Sequence, residues 1–249
     1  MSKIELTVPE LSYAAEEALN RLRVNVKFSG KNMKKLLIIS SVPNEGKSHI
    51  ALYLWKMLAE AGFRTVLVDA DLRKSVMKND AKFQTEGECP GLAYYLSGLA
   101  EYEDVVHETN IENAYLVPCM NSLQNPSPLL EDARLGELMD LLAERHDYVI
   151  VDSPPLISVT DGVQLGGVCD GAILVVRCGE TPRSLIRQSM NQLERTNCRL
   201  LGTVLNGVSR TGRSNFGRPY FGGYYYNRYY NKYYSNYYGE SEESAGKKK

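Results

Sequence analysis

Lys47 and Ser48, preceded by Gly46, close the stretch Ser41-Val42-Pro43-Asn44-Glu45-Gly46-Lys47-Ser48. An ammonium and a hydroxyl at the end of a tight turn suit phosphate chemistry. Backbone N–H groups of such a turn converge on an anion, and a helix starting there adds its positive dipole end. The lysine would reach the β- and γ-phosphates, and the serine hydroxyl would ligate Mg²⁺. Ser41 stands where the first glycine of a phosphate loop usually sits, and it is small enough to let the backbone turn. Carboxylates form the second group. Asp69 and Asp71 follow Thr65-Val66-Leu67-Val68, and Asp152 follows Tyr148-Val149-Ile150-Val151. An aspartate ending a β-branched run matches a Walker B carboxylate, which holds the magnesium shell. Two acids at the carboxyl end of a strand lie where ligands bind in an open α/β sheet.

These residues need strands that end at one place. The apolar run Leu36-Leu37-Ile38-Ile39 precedes the turn, and the helical stretch Ile50 to Leu58 follows it, with Gly62 as its stop. Residues 74–92 are polar and glycine-containing and read as a loop beside the site. Gly91 to Leu99 reads as a helix and Ala114 to Pro118 as a strand. Asn125-Pro126-Ser127-Pro128 opens a helix with apolar positions from Leu129 to Leu142. Thr160 to Val168 and Ser184 to Arg195 read as helices, and Gly171 to Val176 and Leu200 to Asn206 as strands. Continuous apolar strands alternating with helices imply an α/β P-loop NTPase fold, a mostly parallel sheet with helices on both faces.

The ends differ from this middle. Residues 1–9 read as a loosely held arm, and Glu10 to Phe28 as an amphipathic helix. That helix either packs on the domain or forms a subunit contact. After Gly207 the composition changes to Arg, Gly and Ser. Tyr220, Tyr224, Tyr225, Tyr226, Tyr229, Tyr230, Tyr233, Tyr234, Tyr237 and Tyr238 follow in a near repeat. With so little aliphatic content this tail is expected to be disordered. The organisation is therefore an arm and helix (1–30), a catalytic domain (31–208) and a tail (209–249).

Composition narrows the classes. With 29 basic and 30 acidic residues there is no global pull toward nucleic acid or anionic membrane. Five scattered cysteines and three isolated histidines suit reduced thiols rather than a disulfide framework or a metal cluster. No apolar run approaches the roughly 18 residues of a membrane span, and Met1-Ser2-Lys3-Ile4-Glu5 lacks the core of a signal peptide. The expected location is cytoplasmic, unless a partner carries the chain to a membrane.

The chain resembles the bacterial tyrosine kinases of capsular and exopolysaccharide systems. It is similar to the Gram-positive form, in which a cytosolic kinase works with a separate membrane protein. The resemblance rests on the Walker A stretch at 41–48, on Val66-Leu67-Val68-Asp69-Ala70-Asp71-Leu72-Arg73, on the Walker B stretch at 149–155, and on the tyrosine cluster. It implies Mg-ATP bound through Ser41, Pro43, Asn44, Glu45, Gly46, Lys47, Ser48, Arg73 and Asn206, with Asn206 against the adenine. The metal would be held by Ser48, Asp71 and Asp152. Catalysis would fall to Lys47, Asp69, Asp71 and Asp152. Asp69 is the candidate to orient and deprotonate the attacking tyrosine, although the sequence leaves Asp69 and Asp71 open for that role. The acceptors would be the tail tyrosines. A tether of about 20 residues spans roughly 25 Å as a random coil, enough to reach a neighbouring subunit. Phosphorylation of the tail would then loosen the assembly.

By the same resemblance, a membrane-spanning adaptor of the polysaccharide co-polymerase type activates the kinase and a tyrosine phosphatase reverses it. Other proteins of polysaccharide synthesis would be further substrates. The family's N-terminal helix closes subunits into a ring through Glu-x-x-Arg-x-x-Arg. Here Glu17 and Arg23 keep the ends of that pattern while Asn20 replaces the middle arginine, which puts the strength of a ring in question. Two other readings compete. Partition and cell-division ATPases share the fold but carry a lysine where this chain has Val42. A tail of tyrosines with Arg210, Arg213, Arg218, Arg228 and Lys232 would suit single-stranded nucleic acid. The kinase reading expects no nucleic-acid partner.

Overall fold

The computed structural model describes residues 3–85 and 87–208. The tail expected to be disordered, with all ten candidate tyrosines, lies outside the described residues. The chain divides after Asn206, and the fold is that of the first unit. In chain order its elements are β1 (Lys3–Glu5), α1 (Tyr13–Lys27), β2 (Lys35–Ser40), α2 (Lys47–Glu60), β3 (Thr65–Asp69) and α3 (Met77–Asp80). Then come β4 (Gln84–Thr85), α4 (Leu92–Leu96), α5 (Tyr102–Val105), β5 (His107–Thr109), β6 (Ala114–Val117) and α6 (Ser127–Leu130). The unit ends with α7 (Ala133–Arg145), β7 (Tyr148–Asp152), α8 (Asp161–Gly167), β8 (Gly171–Arg177), α9 (Arg183–Leu193) and β9 (Arg199–Asn206).

One sheet runs in the order β4-β1-β5-β6-β3-β7-β2-β8-β9. Its neighbours are parallel except at β1–β4 and β5–β6. Successive strand residues point to opposite faces, and here both faces are covered. Leu37, Ile39, Val66, Val68, Val149 and Val151 pack with Leu138 and Leu142 of α7 and Leu165 of α8. Leu36, Ile38, Leu67 and Ile150 pack on the other side with Leu54 and Leu58 of α2 and Leu19 and Val26 of α1. This two-sided burial is why the central strands read as unbroken apolar runs. Trp55 of α2 is fully buried, and its indole N–H donates to the Tyr115 carbonyl at 3.0 Å.

The ends of the domain differ from expectation. Residues 3–9 are not a loose arm: β1 pairs with β4 and β5, and Ile4 and Leu6 are buried. Leu6 N–H donates to Asn110 Oδ1 at 2.9 Å, and the Tyr53 hydroxyl donates to the Pro9 carbonyl at 2.7 Å. Two apolar residues alternating with charges make too short a signal to separate a strand from a polar terminus. The amphipathic helix starts later than expected because Ser12 caps it, accepting from Ala15 N–H. The expected 74–92 loop contains α3 and β4. One expected helix after Pro128 is two, since Asp132 accepts from Arg134 N–H at 2.9 Å and starts α7 afresh. No helix among the described residues is long and apolar enough to cross a membrane. All five cysteines are free thiols.

Candidate active site

β3, β7 and β2 lie side by side in the middle of the sheet. Their register sets Asp69 opposite Asp152 and Asp152 opposite Ile38. The two strand-end acids therefore emerge at the edge where the 41–48 turn leaves β2. Asn44 (φ +64°) and Gly46 (φ +92°) both take left-handed conformations as the turn wraps back into α2. A Cβ on Gly46 would lie 2.1 Å from the Asn206 side-chain nitrogen, so both backbone and space require glycine there. Asn206, at the end of β9, donates from that nitrogen to the Glu45 carbonyl at 2.9 Å. Pro43 is half-buried and Asn44 exposed at the crest of the turn.

The Lys47 ammonium lies 3.2 Å from Asp71 Oδ2 and 3.7 Å from Asp152 Oδ1. It also donates to Ser48 Oγ at 3.2 Å. Asp69, Asp71 and Asp152 are all at most 1% exposed, so three carboxylates crowd one buried cation. Burial above all, then the Asp152 charge, holds the Asp69 carboxyl well above the usual carboxylate range. Burial also pushes Asp152 up to about 6, against the pull of the Lys47 charge and a hydrogen bond from Ser48. Oδ1 of Asp69 and Oδ1 of Asp152 are buried without a hydrogen-bond partner. Such oxygens are costly unless a ligand completes them.

These residues fit Mg²⁺. The ion takes oxygen donors and keeps water and phosphate oxygens in its shell. Ser48 Oγ and the open Asp152 Oδ1 are such donors, with Asp71 beside them. No set of three His, Cys, Asp or Glu side chains surrounds one metal position among the described residues. A magnesium ion would therefore depend on the triphosphate as well as on the protein.

The segment after β3 is tied down at several points. The Ser75 hydroxyl donates to Asp69 Oδ2 through a short hydrogen bond and accepts from Met77 N–H at 3.3 Å. Lys74 N–H donates to Asp71 Oδ1 at 3.0 Å. Arg73, expected at the nucleotide, directs its guanidinium to α8 and α6. Nε and Nη2 grip Asp161 at 2.7 and 3.1 Å, and Ser127 Oγ bridges them, 3.0 Å from Arg73 and 2.9 Å from Asp161. Sequence reasoning singled out neither Ser75 nor Asp161. The acid that begins α8 looks like an ordinary helix-start residue. Glu17, Asn20 and Arg23 lie on α1, Glu17 exposed and the other two half-buried.

Known proteins share this arrangement. Residues 34–200 match the AAA domain family. The chain is 38% identical over 213 residues to the tyrosine-protein kinase CpsD of Streptococcus agalactiae serotype Ia, covering 85% of this chain and 91% of that protein. It is 34% identical over 208 residues to the tyrosine-protein kinase CpsD of Streptococcus pneumoniae serotype 4, covering 83% and 91%. Among solved structures, the kinase domain of Escherichia coli tyrosine kinase ETK superposes with a TM-score of 0.75 at 27% identity, over 83% of this chain and 80% of that one. The relatives are matched over nearly their whole length, and the P-loop fold is the one they share. The chain therefore belongs to the CpsD-type bacterial tyrosine kinases, nucleotide-binding enzymes that phosphorylate protein tyrosine.

Proposed function

We propose that this kinase transfers the γ-phosphoryl group of Mg-ATP to the tyrosines of its own C-terminal cluster, between subunits, and so regulates capsular or exopolysaccharide synthesis and export. The observation that carries the reading is the meeting of Lys47 with Asp71 and Asp152 at adjacent strand ends, with Asp69 in register beside them. The 41–48 turn cradles the phosphates. Ser48, Asp71 and Asp152 would hold Mg²⁺, which when bound would supply charge neutralisation for the transferring group. Lys47 orients the β- and γ-phosphates. Ser75 occupies Oδ2 of Asp69, leaving the open Oδ1 to accept the phenolic proton. The phenol oxygen bonds to the γ-phosphorus as the bond to the β-phosphate oxygen breaks, and ADP leaves. A phenol with a pKa of about 10 needs such an acceptor at neutral pH. Arg73 supports the Asp71 segment through Asp161, and Asn206 lines the adenine side of the turn.

The tail supplies the acceptors: Tyr220, Tyr224 to Tyr226, Tyr229, Tyr230, Tyr233, Tyr234, Tyr237 and Tyr238. Helix α1 supplies the subunit contact through Glu17, Asn20 and Arg23, and the exposed Tyr13 and Phe28 support an outward-facing role for it. A membrane-spanning co-polymerase adaptor recruits the kinase to the inner face of the membrane and activates it, and a tyrosine phosphatase resets it. Incubation with Mg-ATP, with and without the adaptor's activating segment, followed by phosphosite mapping, tests the proposal. Labelling of wild-type tail tyrosines and none in Lys47→Met is expected. An unlabelled wild-type tail in both conditions, or equal labelling of Lys47→Met, excludes it.

A further inference from the structure

The phosphate turn contains an acid, which is unexpected chemistry for a loop that wraps an anion. A carboxylate turned toward the phosphates would repel them. Glu45 is 1% exposed, and its carboxylate points the other way. Oε2 accepts from Val42 N–H at 2.8 Å, across the turn. Oε1 accepts from Arg177 N–H at 3.1 Å, at the end of β8, and from the Thr181 hydroxyl in a short hydrogen bond. The other end of the turn is held from the same direction. The Ser189 hydroxyl, on the buried face of α9, donates to Ser41 Oγ at 2.9 Å, and both serines are fully buried. Ser41 is the residue that replaces the usual glycine, and its added hydroxyl is the one Ser189 meets.

We infer that α9 and the turn before it set the width of the phosphate cradle through two side-chain pairs, Thr181–Glu45 and Ser189–Ser41. Thr181 and Ser189 are thus positioning residues for nucleotide affinity. The inference rests on the reading that residues 41–48 hold the phosphates. Its physical basis is that the cradle's N–H groups bind only when they converge, and a free turn samples many arrangements. Pinning residue 41 to α9 and residue 45 to the turn that precedes it removes that freedom before the ligand arrives. Val42 N–H, committed to Glu45, is also fixed in direction.

Calorimetric titration of Mg-ADP into full-length wild type, Thr181→Val, Thr181→Ser, Ser189→Ala and the Thr181→Val/Ser189→Ala pair tests this, with a nucleotide-free melt for each. The dissociation constant should rise about threefold to tenfold for each of Thr181→Val and Ser189→Ala, the worth of roughly one hydrogen bond. The pair should exceed either. Thr181→Ser should restore wild-type affinity, and the labelling rate at saturating ATP should stay near wild type. An unchanged dissociation constant in the pair overturns the inference, as does a loss that Thr181→Ser shares. A purely structural role would lower the melting midpoint and the number of binding sites per chain while leaving the affinity of the remaining sites alone, and that result also overturns it. ADP binding is read without transfer, so a wild type that binds Mg-ADP but leaves its tail unlabelled refutes only the tail reading. One that binds no Mg-ADP refutes both.

Discussion

The two ends of the sheet treat charge in opposite ways. At the amino end the ionic groups beside the strand starts have partners within the chain. Asp170 Oδ2 accepts from the backbone N–H groups of Lys34 and Lys35 at 3.0 and 2.7 Å. The Lys34 ammonium donates to the Ala143 carbonyl at 2.8 Å, near the end of α7, and Asp147 accepts from Arg64 N–H at 2.9 Å. At the carboxyl end one ammonium faces crowded carboxylates, and two carboxylate oxygens have no hydrogen bond. The same sheet thus has one end closed by the chain itself and one end that a ligand must complete. An unfinished buried cluster is costly, and such cost is tolerated where function needs it. The Arg73–Asp161 pair stands between the two cases: it belongs to the carboxyl end but is fully paired.

If that contrast holds, substitutions at the two ends should separate activity from stability. Asp152→Asn should show the largest effect. Tail labelling should fall by about a hundredfold to a thousandfold, as when a preorganised group at the transferring phosphoryl is lost. The nucleotide-free protein should be no less stable, and up to about 1 kcal/mol more stable, because a buried carboxylate held near its protonation point is replaced by a neutral isostere. Denaturant unfolding without nucleotide checks the sign. A clear loss of stability would mean that the cluster is already satisfied.

Asp161→Ala should lose both properties. It leaves the Arg73 guanidinium half-buried without its carboxylate, a change that costs about 3–5 kcal/mol when a buried pair is broken. It also frees the Asp71 segment, so labelling per folded molecule should fall. At the amino end, Asp170→Ala should cost about 2 kcal/mol by stranding two backbone N–H groups. Its labelling rate per folded molecule should match wild type. Equal loss of activity in Asp170→Ala and Asp161→Ala would erase the distinction between the ends.

How much of this was legible in sequence follows from the same physics. β2, β3 and β7 were readable because burial on both faces makes them continuous apolar runs, and the residues at their ends therefore read as a site. Lys47, Asp69, Asp71 and Asp152 lie within a few residues of those signals. Asp161, Thr181 and Ser189 carry no local mark. Arg73 and Asp161 are 88 residues apart, and Ser41 and Ser189 are 148 apart, so only the folded topology brings them together. The direction of Glu45 was hidden for the same reason: its donors on Arg177 and Thr181 lie beyond any spacing rule. The short strands on the β4 side of the sheet failed differently. β1, β4 and β5 hold too few residues for alternation to exceed noise.

His146 gives the smallest test of the amino end. It sits between α7 and β7, nearly buried, with Nδ1 donating to the Leu142 carbonyl at 2.9 Å and its ring edge-on to Tyr115 at 4.9 Å. Nε2 is buried without a partner, so this end does contain an unfinished group, but a neutral one. Burial lowers its pKa from 6.5. Hydrogen bonding to Leu142 and the Asp147 charge oppose that shift, and Arg64 and Arg145 add to it. A lowered pKa means that the unfolded chain binds the proton first. Stability from this group is therefore complete above about pH 6.5 and declines as pH falls below it, with a slope of at most about 1.4 kcal/mol per pH unit. Asp152, with its raised pKa, acts in the opposite direction as the pH falls through about 6. The wild-type profile is thus a sum, and the difference between wild type and His146→Phe isolates the histidine. His146→Phe keeps the ring packing and should lose less stability than wild type between about pH 7.5 and about pH 5.5. Parallel profiles would show that His146 takes up its proton as readily in the folded chain as in the unfolded one, and that the amino end tolerates a buried charge after all.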